Sequence, residues 1–265
     1  MEKRLRITAS QFPVSSDVGS NSAYIIKQMK QAVRQKADVV LFPEAALPGY
    51  APKHHSEGSS YDWPGLAQHE QEIARTAKKL RIWVVYGTAH HVEGCAPRCC
   101  LRIVSPEGKS VGRYDKRKLH GKEARCYSGG HAPTVVDMNG VTCGFLICYD
   151  NCFPELYAEY RELGVEVLFH SFFNAGNTKP TPIKDLMLAN LMVRAADHGF
   201  WIAASNSSEP YCPLSACIVL PDGSMVRAKR HQTGIVVDDF PSAELGWTYD
   251  NRPATPLADN AEEVV

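Results

Sequence analysis

The stretch Gly144-Phe145-Leu146-Ile147-Cys148-Tyr149-Asp150-Asn151-Cys152-Phe153-Pro154-Glu155 runs small and apolar residues straight into a cysteine, and polar, turn-forming residues follow at once. That pattern predicts a buried strand ending at Cys148, on a sharp bend that faces a crevice. A thiol held there meets a substrate while backbone N–H groups of the bend point at the same spot. A buried cysteine on its own is most often inert core. Its meaning therefore depends on residues elsewhere in the chain.

Working outward, strands and helices alternate with hairpins. Leu5 to Gln11 reads as a strand and Asn21 to Lys36 as a helix with apolar residues near helical spacing. Ala37 to Phe42 is a strand stopped by Pro43, Leu66 to Leu80 a helix, and Arg81 to Thr88 a buried strand. Cys99 to Val104 and Ser110 to Tyr114 pair around Ser105-Pro106-Glu107-Gly108, and Thr134 to Met138 and Val141 to Ile147 around Asn139-Gly140. Pro154 to Leu163 is helical, Val165 to Phe169 a strand, Thr181 to Gly199 a long helix and Phe200 to Ser205 a strand. Ala216 to Leu220 and Gly234 to Val237 are expected to form a last hairpin beyond Pro221-Asp222-Gly223. Hairpins mixed with β–α units argue for two mixed sheets covered by helices rather than one doubly wound parallel sheet. One α/β domain over 1–240 is expected, followed by a tail over 241–265 that is extended or packed on a partner subunit.

The composition bounds the function. With 44% hydrophobic and 22% charged residues, the 265-residue chain can bury a sizeable core. A formal net charge of zero gives no global attraction to nucleic acid or membrane surfaces. No run approaches the roughly 20 apolar residues of a membrane span. The charged N-terminus lacks the apolar run of a secretory signal, and nine cysteines, an odd number, predict reduced thiols and a cytoplasmic protein. Cys95, Cys99 and Cys100 lie near His90 and His91 but lack paired C-x-x-C hooks, so they read as a hairpin with spare thiols, not a metal site.

Three strand ends offer reactive side chains. Phe42-Pro43-Glu44 places a carboxylate after one strand, Tyr114-Asp115-Lys116-Arg117-Lys118-Leu119 places lysines after another, and Cys148 follows a third. Carboxylate, ammonium and thiol together suit attack on an amide-like carbon. The residues alone leave Lys116 and Lys118 as alternatives.

In this order and at these separations, the three segments resemble the Glu-Lys-Cys signature of the nitrilase superfamily of carbon–nitrogen hydrolases. Phe42-Pro43-Glu44 with Pro48-Gly49-Tyr50 is similar to the family's glutamate motif, Tyr114-x-Lys116-x-x-Leu119 to its lysine motif, and Gly144 through Glu155 to its nucleophile motif. Arg194-Ala195-Ala196-Asp197-His198-Gly199 with Asn206 is similar to a later family segment, and the likeness spans about Arg4 to Phe240. The resemblance implies a four-layer α-β-β-α sandwich that forms a homodimer or larger assembly, with no metal and no organic cofactor. It implies Glu44 as general base, Lys116 as oxyanion stabiliser, Cys148 as nucleophile and Glu123 as a second, positioning glutamate. The backbone N–H of Tyr149 completes the oxyanion site, and Tyr50, Phe172, Phe173 and Asn174 are expected near the substrate. His54, His55, Tyr61 and Trp63 are further candidates for shaping the pocket.

The implied reaction is cleavage of a small linear amide through a cysteine thioester, releasing ammonia and a carboxylic acid. Cys148-Tyr149-Asp150 differs from the Cys-Trp-Glu of true nitrilases. Branches taking acidic substrates resemble Cys-Tyr-Asp-x-Arg-Phe, and Cys152 stands here where they have arginine, which leaves Arg117, Lys122 or Arg125 to supply a cation. An N-carbamoyl (ureido) hydrolase, a catalytically silent binding protein on the same scaffold and a redox-sensing thiol protein are the alternatives.

Overall fold

A computed structural model describes residues 3–55, 61–175, 183–241 and 245. In chain order its strands are β1 (Leu5–Phe12), β2 (Val39–Leu41), β3 (Trp83–His90), β4 (Arg98–Val104), β5 (Ser110–Asp115), β6 (Val135–Met138), β7 (Val141–Ile147), β8 (Val167–Ser171), β9 (Trp201–Ser207), β10 (Cys217–Val219), β11 (Met225–Arg227) and β12 (Gly234–Phe240). Its helices are α1 (Val18–Arg34), α2 (Ala51–His54), α3 (Trp63–Leu80), α4 (Pro154–Glu162) and α5 (Ile183–His198).

The strands form two mixed sheets of matching design. The first runs β5-β4-β3-β2-β1-β12, with β1, β2 and β3 parallel and the outer pairs antiparallel. The second runs β6-β7-β8-β9-β10-β11, with β7, β8 and β9 parallel and the outer pairs antiparallel. A short parallel seam, Gln11 with Asn206 and Phe12 with Ser207, joins β1 to β9. The parallel centres are covered on both faces, so Val39-Val40-Leu41 and Val167-Leu168-Phe169 read as continuous apolar runs and are wholly buried. Helices α1 and α3 pack together, with α1 against the first sheet, and α4 and α5 pack together, with α5 against the second. The layers are therefore α-β-β-α.

Local chemistry sets the helix ends. Asp17 caps α1 by accepting from the Ser20 N–H at 2.5 Å, a contact worth about 1 kcal/mol. Ile25, Met29 and Ala32 follow at helical spacing and are buried against the sheet. The helix expected over Thr181 to Gly199 is described from Ile183 to His198, and 181 and 182 lie outside the described residues.

One pairing corrects the sequence reading. Met225–Arg227, not Gly234 to Val237, closes the hairpin with β10. The segment from Gly234 instead crosses to the first sheet and pairs antiparallel with β1, from Gln11–Gly234 to Leu5–Phe240. A local turn signal such as Pro221-Asp222-Gly223 fixes the nearest partner only, and β12 finds its partner more than 200 residues away. The tail expected over 241–265 lies outside the described residues except for Pro241 and Leu245.

Candidate active site

Glu44, Lys116 and Cys148 come from the C-terminal ends of β2, β5 and β7, two from the first sheet and one from the second. Glu44 leaves β2 on a tight path: the Phe42 N–H donates to the Val85 carbonyl at 2.8 Å, and the Glu44 N–H to the Phe172 carbonyl at 3.2 Å. Across the sheets, the Ser171 hydroxyl donates to the Phe42 carbonyl at 2.7 Å. Beneath this path lies Gly87, where a Cβ would sit 2.3 Å from both the Pro43 carbonyl oxygen and the Ala45 nitrogen. No larger residue fits there without moving the backbone that carries Glu44.

Lys116 continues the alternation of β5. Tyr114 is buried, and two residues on, Lys116 is fully buried too, with its N–H on the Cys99 carbonyl at 2.8 Å. Lys118 turns outward over the Phe153 ring and pairs with Glu155 at 3.1 Å. The Lys116 ammonium donates to Glu44 Oε1 at 2.6 Å and to Glu123 Oε1. Two of its three N–H bonds are thereby used, and the third has no protein acceptor among the described residues.

Glu123 sits in a short 3-10 turn after β5 and is wholly buried. The Tyr50 hydroxyl donates to Glu123 Oε1 at 3.0 Å and lies 2.9 Å from His120 Nε2. With the tyrosine proton on Glu123, His120 Nε2 is the donor to Tyr50. The His120 N–H donates to Glu123 Oε2 at 3.2 Å. Burial holds the His120 imidazole below its usual pKa, consistent with a neutral ring in that tautomer.

Cys148 occupies the bend with φ +43°, in the left-handed region that costs a residue with a Cβ of order 1–3 kcal/mol. Asp150 holds the bend. Its carboxyl accepts from the N–H of Ile147 and of Lys118, both at 2.9 Å, and from the Tyr114 hydroxyl at 2.8 Å. The half-buried thiol receives the Asn174 side-chain amide at 3.6 Å. Asn206 fixes that amide, donating to Asn174 Oδ1 at 2.9 Å and accepting from the Asn174 N–H at 3.2 Å.

The electrostatics separate the two glutamates. Burial pushes Glu44 up to about 7 against the pull of Lys116, with the Glu123 charge adding to the rise. Burial acts on Glu123 too, but the charge and hydrogen bond of Lys116 outweigh it and hold its carboxyl below the usual range. Burial alone would lower Lys116; Glu44, Cys148 and Glu123 outweigh it and keep the ammonium well above its ordinary value. Burial and the Glu44 charge push the Cys148 thiol well up, and Lys116 only partly offsets them. At neutral pH the proton sits on sulfur, beside a carboxylate able to take it. Glu44 Oε2 is buried without a hydrogen-bond partner among the described residues.

A cavity of about 810 Å³ opens over Cys148. Tyr50, Tyr149, Phe173 and Asn174 line it, with Tyr50 and Phe173 stacked at 4.8 Å between ring centres. Phe172 does not line it. It is fully buried and stacked 4.2 Å from His170, and only its carbonyl reaches the site, through Glu44. The stack on His170 holds its ring in the core, away from the cavity. His54 Nδ1 accepts from the Tyr50 N–H at 3.0 Å behind the wall, Tyr61 meets Tyr127 at 2.9 Å, and Trp63 packs edge-on against Tyr61 and His91, away from the cavity lining. Arg117 is paired with Glu159 and is not in the cavity wall.

Sequence reasoning passed over four groups that belong here: His120, Asp150 as the clamp of the bend, Asn206 as the clamp of Asn174, and Cys99. The Cys99 thiol lies 3.8 Å from Glu44 Oε1. Strand alternation in β4 was the available signal, because it turns Cys99 and Cys100 to opposite faces. His90, His91 and the three cysteines form no metal-ligating group among the described residues. No described helix is long and apolar enough to cross a membrane.

Known proteins share this arrangement of chain. The chain is 25% identical to the chloroplastic omega-amidase of Arabidopsis thaliana, over 98% of this chain and 72% of that one. It is 26% identical to the 2-oxoglutaramate amidase of Bacillus subtilis, over 96% of each. Among solved structures, the Nesterenkonia AN1 amidase from the nitrilase superfamily has the same fold, with a TM-score of 0.78 over 95% of each chain at 21% identity. One form of that amidase carries the acetamide moiety of fluoroacetamide covalently added at its active-site cysteine. The model of the carbon–nitrogen hydrolase family matches residues 6–248, from the second residue of β1 past the end of β12, and the chain belongs to that family.

Proposed function

We propose that this carbon–nitrogen hydrolase is an amidase that cleaves small linear amides through a thioester on Cys148, releasing ammonia and a carboxylic acid. The observation that carries the reading is the buried Lys116 ammonium shared by two glutamates beside Cys148, with Glu44 held at about 7 and Glu123 held anionic. Two carboxylates whose environments push their pKa values apart divide the roles of base and fixed charge.

Cys148 Sγ attacks the amide carbon as its proton passes to Glu44. The third N–H of Lys116 and the backbone N–H of Tyr149 receive the oxyanion. Collapse expels the amine, which takes the proton from Glu44 and leaves as ammonia. Water then attacks the thioester, giving a proton to Glu44. The second collapse expels the Cys148 thiolate, which recovers that proton as the acid departs. The thiol would be only a few per cent ionised even at an ordinary pKa of ~8.5, so the base is required.

The test is ammonia release from a panel of short amides, with fluoroacetamide as a labelling probe. The expected result is ammonia from the wild type, none from Cys148→Ala, and an acetamide adduct that maps to Cys148. Glu44→Gln should lower the rate about 10²- to 10⁴-fold. Wild-type ammonia release by Cys148→Ala overturns the proposal. Carbon dioxide evolved together with ammonia from ureido compounds, and none from amides, assigns the carbamoyl chemistry instead.

A further inference from the structure

His120 lines the cavity over Cys148, its ring edge-on to Tyr149 with 5.9 Å between ring centres. The side chain is 35% exposed, and its two nitrogens have different surroundings. Nε2 lies 2.9 Å from the Tyr50 hydroxyl and 3.6 Å from Glu123 Oε2. Tyr50 has one proton, and the anionic Glu123 has none to return. The hydroxyl therefore donates to Glu123 Oε1, and the Nε2–H donates to the hydroxyl. Among the described residues Nδ1 meets no hydrogen-bond partner and is not shut away from solvent.

The proton count fixes what Nδ1 can do. Burial keeps the imidazole below its usual pKa, so at neutral pH the ring carries one N–H, at Nε2. Nδ1 is then a lone pair with no hydrogen of its own, and the ring cannot turn over without breaking its bond to Tyr50. Around it the wall is largely apolar, built from Tyr50, Pro52, Tyr149, Phe173, Met187 and Pro213. An apolar group laid over Nδ1 strips it of water and returns nothing, whereas a hydrogen-bond donor replaces that water. Lys122 stands in the same wall and acts on the ring, so a positively charged donor would be repelled there.

Resting on the amidase reading above, we propose that His120 is a specificity-determining residue, whose Nδ1 accepts a hydrogen bond from a neutral O–H or N–H in the acyl part of the substrate. A hydroxyamide is the simplest such substrate. The distances suit it. Only Glu123 Oε1, the Tyr50 hydroxyl and the width of one imidazole separate Lys116 Nζ from Nδ1, which sets them at most about 11 Å apart. A carbonyl held at Lys116 and a donor received at Nδ1 therefore belong to one short acyl chain.

The experiment measures ammonia release from straight-chain amides ending in a hydroxyl and from their methyl-ended counterparts of the same length. At the length that reaches Nδ1, the wild type should favour the hydroxyl about 3- to 10-fold in kcat/KM. In His120→Phe, which keeps a ring without an acceptor, the preference should vanish or pass to the methyl. His120→Asn loses the donor to Tyr50 but presents Oδ1 near the place of Nδ1, so it should still favour the hydroxyl even as the rates for both amides fall. A wild type without the preference at every chain length, a preference that survives in His120→Phe, or one that His120→Phe and His120→Asn lose equally, overturns the acceptor role while the amidase reading stands. Failure of the wild type to release ammonia from either kind of amide overturns both.

Discussion

Replacing Glu123 with glutamine should move the pH dependence of the reaction in a direction the geometry fixes. Glu44 Oε1 and Glu123 Oε1 both accept from one ammonium, Lys116 Nζ. Hydrogen-bond lengths then hold the two carboxylates within about 5 Å of each other. Like charges at that range repel by about 3 kcal/mol at an effective dielectric constant of ~20, which is roughly two pK units. The Glu123 charge is among those that raise Glu44, so neutralising it lets Glu44 fall from about 7. A general base works deprotonated, so in the wild type kcat/KM should rise with pH through about 7. In Glu123→Gln that rise should shift to lower pH by up to about two units. The assay is ammonia release at low substrate and constant ionic strength, from about pH 5 to about pH 9. The plateau is free to fall, because glutamine binds Lys116 less strongly, but the midpoint is the measurement. A midpoint that stays in place or moves upward refutes the assignment of Glu44 as base and Glu123 as fixed charge.

Three further outcomes follow from the same contacts. Lys116→Met leaves two buried carboxylates without their cation and should cost about 3–5 kcal/mol at neutral pH. Without that cation both folded-state carboxylate pKa values rise, so the loss should shrink as the pH is lowered and they protonate; urea unfolding that shows an equal loss at about pH 5 and about pH 8 contradicts this. Gly87→Ala drives a Cβ into the Pro43 carbonyl and the Ala45 nitrogen, so activity should drop more steeply than thermal stability, as read by ammonia release and Tm on one preparation. Tyr50→Phe keeps the stack on Phe173 but removes the hydroxyl between Glu123 and His120. It should lower kcat/KM about tenfold, and an unchanged value would show that this bridge does not hold Glu123.

Much of the site was legible because strand ends carry strong local signals. Gly144 to Ile147 had to be a buried strand, and the polar run after it had to turn, which fixed the place of Cys148. The choice of Lys116 over Lys118 rested on the family resemblance alone, since a two-residue alternation puts both on the face of Tyr114; the chain leaves β5 after Asp115, and Lys116 is buried while Lys118 lies over the Phe153 ring. Phe172 was misplaced because the strand was expected to end at Phe169 and the residues after it were read together as a pocket loop; β8 runs on to Ser171 and the wall begins at Phe173. The partner of β12 was not legible, because an amphipathic strand encodes its face and not its neighbour. His120 and Asn206 were missed as working parts because their value lies in bridging segments distant in sequence, Tyr50 with Glu123 and Asn174 with Leu214.

The seam between the sheets has a mechanical consequence. The carboxylate and the ammonium hang from one sheet and the thiol from the other, while Gln11–Asn206, Phe12–Ser207 and the Ser171–Phe42 hydrogen bond fix how the sheets slide past each other. Asn206 belongs both to that seam and to the amide that touches Cys148. A shear of a fraction of an ångström along the seam would separate the proton donor from its acceptor without unfolding either half. The alkylation rate of Cys148 is therefore a gauge of inter-sheet alignment, and substitutions at Phe12 or Ser207 should tune it from outside the cavity wall.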